Sequence, residues 1–149
     1  MPLRIEDLVS LADPTSQEIE EILDLAATMK GDPGHYADAL AGKTLAMIFE
    51  KPSLRTRVTF EAGMTQLGGH AIYLAPTDAQ IGTRESVPDV ARNLERWVDG
   101  VMARTFAHKT VVDLASYAEI PVINGLSDFT HPCQGLADYM TLREIKGDL

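Results

Sequence analysis

The chain has 149 residues, with 22 acidic against 13 basic side chains and a formal net charge of −9 at pH 7. This length suits one domain with a substantial core, and 45% hydrophobic residues are typical of a globular protein. The acidic balance argues against nucleic acid as a partner, because phosphate backbones require a basic surface.

The single cysteine, Cys133, excludes an internal disulfide framework and favours a reducing compartment such as the cytoplasm. Residues 1–7 lack the apolar core of a secretory signal, and no apolar run approaches the roughly 18 residues of a membrane span. We therefore expect a soluble intracellular protein with no membrane partner.

In the first half of the chain, the hydrophobic pattern predicts helices on either side of one buried strand. Residues 5–11 are predicted to form a short helix, and the capping-box sequence at 15–18 begins a longer one that stops at 31–34. The apolar run 44–49 is predicted as a strand, and the helix after it ends at Gly68-Gly69.

The second half continues the alternation with a strand at about 70–74 and a polar stretch, 75–85, predicted as an exposed loop. Ser86 then caps a helix with Pro88 in its first turn. That helix is predicted to bury Val90, Ala91, Leu94, Trp97 and Val98. The remaining predicted elements are a strand at about 100–104, a helix at 109–119, a strand at 121–124 and a helix from roughly 132 to 145.

Strands that alternate with helices and are almost continuously apolar predict an α/β fold. Such strands are typical of a parallel sheet that is covered on both faces. With right-handed connections, the pattern predicts a doubly wound three-layer domain with a central four-stranded parallel sheet.

Polar side chains follow three of the four predicted strands. In chain order they are Ser53, Arg55 and Thr56, then Arg104 and Thr105, then Asn124 and the sequence His131-Pro132-Cys133-Gln134. Ligands of open α/β sheets bind beyond the carboxyl ends of the strands, where these groups would meet. Arginines beside a helix N-terminus predict a site for a small phosphorylated or carboxylated substrate.

Several of these residues also have a purely structural interpretation. Ser53 can cap its helix, which is compatible with anion binding at the same place. Arg55 and Arg57 can pair with Glu61 and other carboxylates, and His131 alone can be a hydrogen-bonded loop histidine. Arg104 is harder to explain structurally, because an arginine that ends an apolar strand must find a partner.

Other chemistries find little support in the sequence. Cys133 has no second histidine placed to activate it, and His35, His70 and His108 show no metal-ligand spacing. The glycine-rich fingerprint of a dinucleotide site and the phosphate-loop pattern are both absent. We expect neither a metal nor a cofactor.

With these residues assembled, the chain resembles the aspartate/ornithine carbamoyltransferase family, and within it the ornithine carbamoyltransferases. The resemblance extends over nearly the whole chain. The motifs that carry it are Phe49-Glu50-Lys51-Pro52-Ser53-Leu54-Arg55-Thr56-Arg57, Gln66-Leu67-Gly68-Gly69-His70, Arg84-Glu85-Ser86, Val101-Met102-Ala103-Arg104-Thr105, Pro121-Val122-Ile123-Asn124-Gly125-Leu126 and His131-Pro132-Cys133-Gln134.

The resemblance implies two neighbouring subsites for carbamoyl phosphate. The phosphate would be held by Ser53, by the N–H of Leu54, by Arg55 and by Thr56. The carbamoyl group would be held by Arg104, His131 and Gln134. Arg55, Arg104 and His131 are the expected catalytic residues. The family commonly has threonine where this chain has Leu54, but the backbone N–H is the same for either residue.

The resemblance also implies a homotrimer with active sites between subunits. From the stretch 79–84 we expect Gln80 to reach into a neighbour's site, the alternative being a solvated loop. Full-length relatives carry a second domain for the amino-acid acceptor, with a His-Cys-Leu-Pro-type motif that this sequence lacks. We therefore expect residues 1–149 to be the carbamoyl-phosphate-binding domain without the ornithine domain.

Taken alone, this domain is expected to bind carbamoyl phosphate or phosphate and to be nearly inactive. The implied reaction transfers a carbamoyl group to ornithine, giving citrulline, a step of arginine biosynthesis. Two alternatives stay open: a domain of an aspartate carbamoyltransferase, or a non-catalytic module that assembles trimers. Phe49-Glu50-Lys51-Pro52 and Cys133 favour the ornithine enzymes.

Overall fold

Four parallel strands in the order β2-β1-β3-β4 form one sheet in the structure, a computed structural model that describes residues 5–79 and 81–147. The strands are β1 (Thr44–Phe49), β2 (His70–Leu74), β3 (Gly100–Arg104) and β4 (Val122–Leu126). The helices are α1 (Ser16–Gly31), α2 (Leu54–Gln66), α3 (Pro76–Ala79), α4 (Val87–Leu94), α5 (His108–Tyr117) and α6 (Pro132–Lys146), and a 3₁₀ turn covers Pro33–Tyr36.

The two faces of the sheet carry separate apolar layers. On one face, Ile48 and Val101 pack with Ala91 of α4 and Leu114 of α5. On the other face, a second cluster includes Met64 of α2 and the strand residues Leu45, Met47, Phe49 and Met102. Alternate residues of each strand point to opposite faces, so strands that are apolar throughout supply both layers. The predicted doubly wound three-layer fold is confirmed.

Local signals begin the helices where the sequence predicted. Thr15 caps α1 through a complete capping box, in which its side chain accepts from the backbone N–H of Glu18 and the Glu18 carboxylate accepts from the backbone N–H of Thr15. Ser86 caps α4 by accepting from the backbone N–H of Asp89 at 3.3 Å. These caps satisfy backbone donors that the first turn leaves unpaired.

The predicted helix over residues 5–11 is wrong. Leu8 lies alongside β4, where its N–H donates to the oxygen of Val122 at 2.9 Å and its oxygen accepts from Asn124 at 2.9 Å. The carboxylate of Asp7 accepts from the backbone N–H of Val122 at 2.7 Å. An unpaired sheet edge offers this segment more hydrogen bonds than a short isolated helix could make.

Two further expectations are corrected. The stretch 75–85 is not only an exposed loop, because it contains α3 and a β-bridge from Ile81, whose side chain is buried, to Glu85. Trp97 is 73% exposed, whereas Val98 packs into the core. The reason is that α4 ends at Leu94 and the chain then turns, so residue 97 no longer follows the helical face.

Within residues 5–79 and 81–147, no helix has the length and apolar character needed to cross a bilayer. The same residues contain no cluster of histidine, cysteine and carboxylate side chains that would suit a metal ion.

Candidate active site

The carboxyl ends of β1 and β3 lie side by side and bring their two loops together. Phe49 pairs with Arg104 in the sheet register, and the N–H of Glu50 donates to the oxygen of Arg104 at 2.9 Å. Residues that are about 50 positions apart in sequence are thus neighbours at this edge of the sheet.

The N-terminus of α2 forms the first part of the site. Ser53 is its capping residue, and its Oγ accepts from the N–H of Thr56 at 3.4 Å and lies 3.1 Å from the Thr56 hydroxyl. Leu54 occupies the first helical position with its side chain 79% exposed. Backbone N–H groups of a first helical turn point outward and favour an anion.

Arg104 lies against this helix start. Its Nη1 atom donates to Thr56 Oγ1 at 3.4 Å and to the backbone oxygen of Gly125 at 3.5 Å. The Nε atom is buried and has no hydrogen-bond partner among the described residues. Burial, and secondarily the charge of Arg55, lower the pKa of Arg104, although an arginine keeps its proton in proteins. A buried donor without a protein partner can donate to a bound ligand or to a water molecule.

The two arginines of α2 have different surroundings. Arg57 donates through Nε to Glu61 at 3.0 Å, and its guanidinium carbon lies 3.8 Å from the centre of the Tyr73 ring. The structural interpretation therefore holds for Arg57. Arg55 is exposed, and its side chain forms no ion pair with any residue in the described ranges. Arg55 can therefore turn towards an anion at the helix start.

His131 caps α6 and faces the same edge. Its Nδ1 accepts from the backbone N–H of Gln134 at 3.4 Å. Burial, then the charge of Arg104, lower the pKa of His131 below 6.5, and Asp138 acts in the opposite direction. The imidazole is therefore neutral at pH 7, and a ring that accepts at Nδ1 carries its proton on Nε2.

At the end of β4, an unusual backbone conformation accompanies the contact between the Gly125 carbonyl and Arg104. The register between β3 and β4 shifts at Ala103 and Arg104, and Leu126 has a φ of 151°. Asn124 holds this turn, because its Oδ1 accepts from the N–H of Leu126 at 3.0 Å. Strained backbone that its neighbours hold in place is common at functional sites.

Two of the polar residues that were predicted to lie at this edge only stabilise the fold. Asn124 is fully buried, and its Nδ2 donates to the oxygen of Val9 at 2.9 Å, which anchors the N-terminal segment. Thr105 is also fully buried, and its hydroxyl donates to the oxygen of Ala107 at 2.9 Å. Neither side chain is available to a ligand.

Cys133 is not a nucleophile in this structure. Its Sγ lies 3.7 Å from the oxygen of Asn124, and burial raises the pKa of the thiol to about 11. The reactive thiolate is therefore scarce at neutral pH. Gln80, the predicted contribution to a neighbouring subunit, lies outside the described residues.

Glu50, which stands inside the first motif, has a role that was not predicted from the sequence. Its Oε2 accepts from the backbone N–H of Phe106 at 2.5 Å. The ammonium of Lys51 lies 5.4 Å from the centre of the Phe106 ring. Together these contacts join the loop after β1 to the loop after β3. A carboxylate directly after an apolar strand was the available signal.

The fold and this edge define a class: a doubly wound α/β domain that brings strand ends, helix N-termini and cationic side chains together at one edge of the sheet. Residues 6–144 match the family described as aspartate/ornithine carbamoyltransferase, carbamoyl-P binding domain. The chain therefore belongs to the aspartate/ornithine carbamoyltransferase family and corresponds to that domain.

Individual relatives agree with this assignment. The ornithine carbamoyltransferase of Anoxybacillus flavithermus is 55% identical over 149 residues, which are 99% of this chain and 48% of that protein. The ornithine carbamoyltransferase of Deinococcus radiodurans is 56% identical over 141 residues, 95% of this chain and 46% of that protein. The structure of ornithine carbamoyltransferase from Pyrococcus furiosus has a TM-score of 0.92 and 56% identity, covering 95% and 46% of the two chains. The chain thus spans about half the length of these relatives.

Proposed function

We propose that this chain binds carbamoyl phosphate and serves an enzyme that transfers its carbamoyl group to the side-chain amine of ornithine, giving citrulline and phosphate. The observation that carries the proposal is Arg104, a half-buried cation whose Nε has no partner among the described residues. The names of the relatives supply the acceptor, ornithine.

The proposed phosphate subsite is the N-terminus of α2. Ser53, the N–H of Leu54, Arg55 and Thr56 would surround the phosphate, and Arg55 is the member whose charge is not already paired. A dianion here would gain the dipole end of the helix and charge-assisted hydrogen bonds.

The proposed carbamoyl subsite lies between β3 and α6. When a neutral amine attacks the carbamoyl carbon, negative charge develops first on the carbonyl oxygen. Arg104 and the Nε2 proton of a neutral His131 can donate to that oxygen, and Gln134 would contact the carbamoyl –NH₂ group. Donors held in place before the reaction stabilise such charge without reorganising.

The remaining step releases phosphate. The new C–N bond forms, the bond between the carbamoyl carbon and the bridging oxygen breaks, and its electron pair leaves with the phosphate. The attacking nitrogen loses one proton, which the departing phosphate can accept. Arg55 and the helix N-terminus would stabilise the leaving group.

Calorimetric titration with freshly dissolved carbamoyl phosphate tests the proposal. The 149-residue chain is expected to bind the donor and to produce little citrulline when ornithine is added. Arg55→Ala is expected to weaken binding on the order of 10- to 100-fold, because it removes charged hydrogen bonds to the phosphate.

Arg57→Ala is the matched control. It also removes one positive charge, two positions along the same helix, but Arg57 already pairs with Glu61. The affinity of Arg57→Ala for carbamoyl phosphate is expected to stay within about twofold of that of the unaltered chain, because solvent and salt screen an exposed charge. A folded protein that binds neither carbamoyl phosphate nor phosphate would contradict the proposal and leave the alternative of a non-catalytic assembly module.

We further propose a cytoplasmic homotrimer in which Gln80 completes a neighbour's site. The resemblance of the motifs supports this arrangement. Within the enzyme class, aspartate is the competing acceptor, and assays of the complete protein with ornithine and with aspartate separate the two.

A further inference from the structure

The side-chain amide of Gln134 is held in one orientation by Asp138. Gln134 Nε2 donates to Asp138 Oδ1 at 2.8 Å across one turn of α6. A carboxylate only accepts hydrogen bonds, so the nitrogen of the amide must face Asp138 and the oxygen must face away. The Gln134 oxygen receives no hydrogen bond from a residue in the described ranges.

This oriented acceptor lies in the first turn of α6, beside His131. The backbone N–H of Gln134 donates to His131 Nδ1, which leaves the Nε2 proton of the imidazole available. The turn therefore presents one donor, from His131, and one acceptor, from Gln134. A carbamoyl group needs that pair, because it carries an acceptor oxygen and an –NH₂ donor on the same carbon.

We propose that Asp138 is a positioning residue that orients Gln134 to accept from the carbamoyl –NH₂ group, and so selects carbamoyl phosphate over acyl phosphates that lack this donor. The inference rests on the proposed function. Acetyl phosphate has the same phosphate and carbonyl groups but a methyl group in place of –NH₂. It cannot donate to the Gln134 oxygen, so it lacks the hydrogen bond that carbamoyl phosphate would gain there.

The experiment compares three ligands: carbamoyl phosphate, acetyl phosphate and inorganic phosphate. Their affinities are measured by calorimetry for the 149-residue chain and for Asp138→Ala. Removal of Asp138 is expected to lower the preference for carbamoyl over acetyl phosphate by roughly three- to tenfold, the value of one hydrogen bond. Loss of the negative charge acts on all three anions alike, so the ratio of affinities isolates the amide contact.

Two controls separate positioning from structure. Asp113→Asn removes a carboxylate from a comparable i,i+4 pair, Lys109–Asp113 on α5, and should leave the ratio unchanged. In a Gln134→Ala background, Asp138→Ala should not change the ratio further, because Asp138 affects the ratio through the orientation of the Gln134 amide, whereas its charge acts on all three anions alike. Retained binding of inorganic phosphate shows that each variant is folded.

Equal weakening of carbamoyl and acetyl phosphate by Asp138→Ala, or an unchanged ratio, would overturn the positioning role and leave the proposed function intact. Failure of the unaltered chain to bind any of the three ligands would overturn both.

Discussion

Arg55, in the first turn of α2, and Arg104, at the end of β3, lie near enough for their charges to repel one another. Arg55 is exposed and unpaired within the described residues, and its charge lowers the pKa of Arg104. Like charges and a buried donor without a partner are unfavourable in the unliganded protein. A bound anion would accept a hydrogen bond from the buried donor and would offset the repulsion between the arginines. Relief of these unfavourable interactions would then strengthen its binding.

Arg104→Met should therefore separate stability from function. We expect donor binding and carbamoyl transfer by the complete enzyme to fall on the order of 10²–10³-fold. Unfolding in urea should show unchanged or higher stability, because the substitution removes a desolvated charge and keeps an unbranched apolar stem. A variant that is markedly less stable would show that Arg104 mainly supports the fold.

The protonation of His131 gives a second prediction at this scale. Its pKa is lowered, so its NMR titration midpoint should lie below 6.5. Arg104→Met should raise the midpoint, because it removes a positive charge that opposes the imidazolium. The folded protein binds the imidazole proton less tightly than the unfolded chain does. The free energy of unfolding should therefore fall as the pH is lowered below 6.5 and through the lowered pKa of His131. A midpoint above 6.5 in the unaltered chain would contradict this account.

At the scale of elements, the site depends on two loops that leave neighbouring strands. Glu50 joins them, because its N–H donates to the oxygen of Arg104 and its carboxylate accepts from the N–H of Phe106. The backbone bond follows from the parallel register, whereas the side-chain bond exists only because a carboxylate stands at this position. The Glu50 carboxylate thus adds a second connection between the two loops to the one that the backbone makes.

Glu50→Ala should loosen that arrangement. We expect a loss of about 1.5–3 kcal/mol in the free energy of unfolding, as for a hydrogen bond to a charged group, together with weaker binding of carbamoyl phosphate. Glu50→Gln keeps an acceptor oxygen and should recover most of the affinity. Urea unfolding and calorimetry measure the two effects. Full donor affinity in Glu50→Ala would show that the loops hold their positions without this contact.

At the scale of the whole molecule, apolar side chains remain on the surface of α6. Tyr139, Leu142 and Ile145 recur every three residues along one side of the helix and are exposed, Ile145 by 69%. Elsewhere, α6 packs against β4 and contacts α1, where Lys30 pairs with Glu144 and Asp24 pairs with Arg143. Exposed apolar rows of this kind mark interaction surfaces.

We therefore expect the chain to self-associate as its concentration rises, and more strongly at high salt. Its net charge of −9 opposes contact between copies, and salt screens that repulsion. Ile145→Lys should reduce association without unfolding the domain, because the side chain is exposed. Light scattering measures the effect, and a clean monomer at high concentration and high salt would disprove it.

The sequence by itself determined the elements and the class of site. β1, β2 and β3 have the bounds that the sequence predicted. The central strands β1 and β3 are the clearest in the sequence, because a strand buried on both faces must be largely apolar. The capping residues Thr15, Ser53 and Ser86 begin their helices, since capping is a local interaction between near neighbours. The carboxyl ends of parallel strands share one edge, so the meeting of Ser53, Thr56 and Arg104 also followed from the sequence.

Only the tertiary structure decided which partners the polar side chains take. It sets the Arg104 guanidinium against Thr56, joins Glu50 to Phe106, and turns Asn124 inward to Val9. It also places Leu8 beside β4 instead of in a helix, and leaves Trp97 in solvent. The physical reason is range: capping and periodicity act between neighbours in the chain, whereas these outcomes depend on contacts that form after the sheet has assembled.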